Sequence, residues 1–98
     1  MYVGSLSVDL LLGDVHSLKE KRSIVRPIVA ELTRRLPVAA GEVGEVDLHR
    51  RCLIGVAVVG ADPARPRELL DAAERVIAAH PEVEVLSARR RLWNDEDE

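Results

Sequence analysis

Ninety-eight residues, 47% apolar and 32% charged, suffice for one hydrophobic core and exclude both a disordered chain and a two-domain protein. A single cysteine, Cys52, excludes an internal disulfide, and no run approaches the roughly 18–20 apolar residues that cross a bilayer. The formal charge of −3 conceals an asymmetry, because residues 95–98 are all acidic and residues 1–94 hold 13 acids against 14 bases. A near-neutral domain over 1–94 with a short disordered acidic tail over 95–98 is the expectation. The start lacks a basic region followed by an apolar one, so a cytoplasmic location is expected. With Tyr2 and Trp93 the only aromatics, the core must be built from Val, Leu, Ile and Ala.

Residues 2–12 alternate, with Leu6, Val8, Leu10 and Leu12 on one side and Ser5, Ser7 and Asp9 on the other. That is the pattern of a strand with one buried face, ended by Gly13-Asp14. From Ser17 to about Leu36, the residues Leu18, Val25, Ile28, Val29, Leu32 and Leu36 recur at helical spacing. Ser17 and Glu20 have the spacing of a reciprocal cap at its start. Pro27 removes one backbone hydrogen bond at a cost of about 3 kcal/mol, so a kink near Ser23 or a loose first turn is expected. Pro37 ends the helix, and Val38–Val43 reads as a short strand whose neighbouring Pro and internal Gly suit a sheet edge better than a centre. Gly44–Arg50 is a loop. Cys52–Val59 is almost wholly apolar, as in a central strand buried on both faces. Asp62 caps a second helix with Pro63 at its first position, and Leu69, Leu70, Ala73, Val76, Ile77 and His80 mark its inner face. Pro81 closes it, and Val83–Leu92 alternates as the last strand.

The order β-α-β-β-α-β, with right-handed crossovers, predicts an α+β ferredoxin-like sandwich. A four-stranded antiparallel sheet carries both helices on one face. Its other face is expected to show Val3, Ser5, Ser7, Asp9, Cys52, Ile54, Val56 and Val58. A partly apolar open face of this kind suits a partner, most simply a second copy of the chain.

Several segments resemble a known family: Met-Tyr-Val-Gly at the start, Ser17-Leu-Lys-Glu-Lys-Arg22, Val38-Ala-Ala-Gly-Glu-Val43, Asp47-Leu48 with Arg51, and Leu53-Ile-Gly-Val-Ala-Val58. Together they are similar to the YlxP-like proteins, small bacterial proteins of unknown function. The resemblance covers nearly the whole chain and implies a ferredoxin-like fold. Genes of such proteins often lie near those of translation initiation factor two and ribosome-binding factor A, which implies work on the ribosome or on RNA. Pro27 departs from the resemblance where a polar residue usually continues the helix. His49 departs where a tryptophan is common, which weakens any base-stacking role for that loop.

Segment 17–36 concentrates charge, with Lys19, Lys21, Arg22, Arg26, Arg34 and Arg35 against Glu20 and Glu31. Cations at a helix start oppose the helix dipole, so Lys19, Lys21, Arg22 and Arg26 form either a plain solvated face or an anion site for phosphate or RNA backbone. A sheet without aromatics would not stack bases as RNA-recognition sheets do. Arg89, Arg90 and Arg91 read as protection of an edge strand. Glu42, Glu45, Asp47 and His49 gather near one loop with no spacing that fixes a metal or an acid–base pair, and Cys52 reads as a core thiol. The expectation is a non-enzymatic accessory module without cofactor or metal, binding RNA or a ribosomal surface through the basic face of the first helix. Assembly of a homo-oligomer through the open sheet face is the alternative. A small-molecule enzyme with a site near Glu42–His49 ranks below both, and no membrane partner is expected.

Overall fold

The first strand follows its sequence: β1 (Tyr2–Leu12) buries Leu6, Val8, Leu10 and Leu12 and leaves Ser5, Ser7 and Asp9 half-buried on the other side. The computed structural model describes residues 1–96 and continues with α1 (Leu18–Arg35), β2 (Ala39–Gly44), β3 (Arg51–Gly60), α2 (Ala64–Ala78) and β4 (Val83–Asn94). The strands form one antiparallel sheet in the order β2-β3-β1-β4, the ferredoxin-like arrangement. Of the expected acidic tail, Asp97 and Glu98 lie outside the described residues. Asp95 places its carboxylate 2.9 Å from the Met1 amine.

Each helix starts on a side-chain cap. The Ser17 hydroxyl accepts from the Glu20 N–H at 3.1 Å. The Glu20 carboxylate reaches back to the His16 N–H at 3.1 Å rather than to that of Ser17, so the reciprocal cap closes one residue earlier than its spacing predicts. α1 runs as one element through Pro27, whose ring is exposed. Asp62 accepts from the N–H groups of Ala64 and Arg65 at 2.8 and 3.3 Å, with Pro63 already in helical conformation.

Both helices cover the same side of the sheet. α1 lies over β2 and against α2, and α2 lies over β3, β1 and β4. Between the layers sit Leu6, Val8, Leu10, Cys52, Ile54, Val56, Val25, Ile28, Leu32, Leu70 and Ile77. Gly4 belongs to this contact: a Cβ there would stand 3.0–3.2 Å from Val58, Leu70 and Pro66, so its absence lets α2 settle on the sheet.

The expectation for β3 is overturned. Register pairs Leu6 with Val56, Val8 with Ile54 and Leu10 with Cys52, all on the helix side. With no second layer to cover it, β3 turns Leu53, Gly55, Ala57 and Val59 to the open face, where Cys52, Ile54, Val56 and Val58 were expected. β1 does contribute Val3, Ser5, Ser7 and Asp9 to that face, as expected. Packing of α1 on the sheet predicts that Ile28→Ala, at a fully buried position, lowers stability by about 3 kcal/mol in urea denaturation. A loss below about 1 kcal/mol would show that α1 does not seal the core.

Candidate functional site

Three groups of charged side chains were candidates, and the structure treats each differently. Lys21 shares the helical phase of Val25, Ile28 and Leu32 and points inward with them. Its side chain is 2% exposed. The Lys21 Nζ donates to the Glu45 carbonyl at 2.6 Å and stands 2.8 Å from Glu42 Oε2. The approach to Glu42 lies off the hydrogen-bond direction, so that contact is one of charge. Glu42 reaches the core side because it pairs across β2 and β3 with Ile54. Glu45 accepts from Lys21 while holding φ at 61°, a left-handed conformation that costs a non-glycine residue on the order of 1 kcal/mol. Lys21 is therefore not on the displayed basic face where its sequence neighbours place it.

Lys19, Arg22 and Arg26 are exposed, and their spacing sets them on one outward stripe of α1. Among the described residues none of the three has a carboxylate within 4.0 Å. At the far end of α1, Arg35 is instead paired with Glu31 at 2.7 Å. Glu31 also meets His80 Nε2 at 2.7 Å, and the Arg35 guanidinium, then His80, hold its carboxyl below the usual carboxylate range.

The arginine run of β4 divides by alternation. Arg90 turns to the helix side and pairs with Asp71 at 2.6 Å and Glu74 at 3.2 Å. Arg89 and Arg91 turn to the open face with Trp93, and the Arg91 guanidinium lies 5.0 Å from the centre of the indole. The open face thus carries an aromatic side chain, contrary to the expectation that it offers none. Odd numbering along 89, 91 and 93 was the available signal. Beside this row, Arg51 grips Asp9 through two contacts, at 2.6 and 3.3 Å.

The remaining candidates are the loop residues and Cys52. Glu42 is committed to Lys21, while Glu45, Asp47 and His49 are exposed along the loop. Among the described residues no three His, Cys, Asp or Glu side chains stand together as a metal site. Burial first, and then the charge of Glu42, push the Cys52 thiol up to about 12, so it is a neutral core group at physiological pH. No helix among the described residues is long and apolar enough to cross a membrane.

Residues 3–90 match the family described as Protein of unknown function (DUF503). The chain belongs to the DUF503 family. This DUF503 domain is also 27% identical to the uncharacterized protein YlxP of Bacillus subtilis (strain 168) over 82 residues, which are 84% of this chain and 89% of that protein. The likeness agrees with the YlxP-like resemblance read from the motifs. The family's function is unknown, so a role for this DUF503 domain has to be argued from its surfaces.

The internal ion pair has a measurable signature. Lys21→Met and Glu42→Gln are each expected to cost about 2 kcal/mol, because the first leaves the partly buried Glu42 carboxylate without its cation and the second leaves the buried ammonium with the Glu45 carbonyl but no counter-charge. The double variant should lose at least about 1 kcal/mol less than the sum of the two. Strict additivity in a urea-denaturation cycle would mean that the two charges do not interact.

Proposed function

We propose that this protein is a non-enzymatic accessory module that binds an RNA surface of the ribosome through the outward stripe of α1. The observation that carries the reading is the set Lys19, Arg22 and Arg26, three cations on one exposed stripe with no carboxylate within 4.0 Å among the described residues. Unneutralised cations are retained at low energetic cost on a surface that meets phosphates, and phosphate contact releases the counterions condensed on the nucleic acid. The free N–H groups at the start of α1 add to the same positive potential. The translation-linked gene neighbourhood implied by the YlxP-like resemblance selects RNA among polyanions. Lys21 takes no part in this site, since its charge is spent inside the molecule. Glu42, the residue on which a small-molecule site near the loop would depend, is committed in the same way.

Co-sedimentation with purified ribosomal subunits tests the reading. Binding should fall steeply from roughly 50 to 200 mM salt. Replacing Lys19, Arg22 and Arg26 together by Glu should weaken low-salt binding at least about tenfold, with the fold intact by circular dichroism. Undiminished binding by that variant, or binding indifferent to salt, would refute it.

A further inference from the structure

The open face of the sheet has two unlike halves. On the β2–β3 side Val43 covers Gly55, and Val43 and Val59 are 60% and 61% exposed. On the β4 side stand Arg89, Arg91 and Trp93, successive members of one face of an edge strand. Val3, Ser5 and Ser7 of β1 lie directly across from Trp93, Arg91 and Arg89 respectively. Neither Arg89 nor Arg91 has a carboxylate within 4.0 Å among the described residues, whereas Arg90, on the helix side, has two. Asp95, the nearest described acid along the chain, is engaged by the Met1 amine. Trp93 is 39% exposed although it is the largest side chain in the protein, and Arg91 holds its guanidinium over the ring.

We infer that this half of the sheet is a stacking site for an unpaired base of single-stranded RNA. The base lies against the Trp93–Arg91 pair, and Arg89 neutralises the adjoining phosphate. Aromatic and guanidinium planes offer a face to any base, cations track the backbone, and the Ser5 and Ser7 hydroxyls supply donors and acceptors to a base edge or a 2′-hydroxyl. A duplex has no exposed base face to present, so the site discriminates against it. Protection of an exposed edge accounts for Arg89 and Arg91 but not for an indole left half in water beside them. The inference rests on the RNA-binding reading and assigns it a second, chemically different contact, because α1 lies on the opposite side of the sheet.

Trp93 is the only tryptophan, so its fluorescence reports this site alone, while the anisotropy of an end-labelled oligonucleotide reports binding anywhere on the protein. The probes are labelled oligouridylate and oligoadenylate, with a hairpin-free RNA duplex as control. Single strands should quench Trp93, and the duplex should not. Trp93→Ala should weaken anisotropy-detected binding of the single strands at least about fivefold, the equivalent of one lost stacking contact. Trp93→Phe should restore most of it, and Arg89→Glu with Arg91→Glu should weaken it further. RNA that binds by anisotropy without quenching, and with Trp93→Ala neutral, would overturn this inference and leave the α1 reading standing. No RNA binding by either signal would overturn both. A fluorescence change on concentrating the protein alone, accompanied by a dimeric mass in sedimentation, would overturn it in favour of a second copy on the open face.

Discussion

The pairing of Lys21 with Glu42 joins the part of this fold that apolar packing serves least. β2 is an edge strand of sequence Ala-Ala-Gly-Glu-Val-Gly, with little side-chain area to bury against α1. Strands of that composition specify their register weakly, and a slip of one residue would turn Glu42 to the open face. A lysine set into the apolar stripe of α1 fixes the choice, since only the observed register meets its charge. The same ammonium holds the Glu45 carbonyl and with it the left-handed turn that leads into the β2–β3 loop. A buried ion pair contributes little net stability once desolvation is counted, so its weight here lies in specifying one arrangement of α1, β2 and the loop.

That internal use of one cation reshapes the surface. The basic cluster written as Lys-Glu-Lys-Arg in the chain is not one patch, because its second lysine belongs to the core and its glutamate to the helix cap. Lys19, Arg22 and Arg26 remain outside on α1, and Arg89 and Arg91 remain outside on the far side of the sheet. A body that is nearly neutral in sum therefore presents positive charge on two opposed surfaces, one a convex helix suited to backbone phosphates and one a flat sheet with an aromatic. Glu42 faces Lys21, Cys52 is a neutral core thiol, and no three His, Cys, Asp or Glu side chains among the described residues stand together as a metal site.

The elements and their order were legible because every one carries its own period. β1 alternates, α1 and α2 repeat at helical spacing, and Asp62-Pro63 marks a helix start by local chemistry alone. What periodicity could not supply was which side of an apolar strand is covered. Cys52–Val59 has nonpolar residues at every position, so its pattern has no phase, and only pairing with β1 reveals that Leu53, Gly55, Ala57 and Val59 face outward. Lys21 was misplaced for a different reason. Its residue type argued for solvent while its spacing from Val25, Ile28 and Leu32 argued for the core, and spacing prevailed because Glu42, distant in sequence, was there to meet it. Trp93 was overlooked because it stands at the end of β4, past the run read as strand, although it continues the parity of Arg89 and Arg91.

The chain has two lysines, one exposed and one buried, so it contains its own control for the claim on which this account turns. The measurement is the relative rate at which Lys19 and Lys21 of the native protein are acylated by an amine-reactive reagent at neutral pH, read by peptide mass spectrometry. The account predicts that Lys19 is labelled readily while Lys21 stays unmodified until the protein is unfolded in urea, where the two become equal. Native labelling of Lys21 at the rate of Lys19 would mean that its ammonium is in solvent, and the clasp between α1 and β2 would not exist.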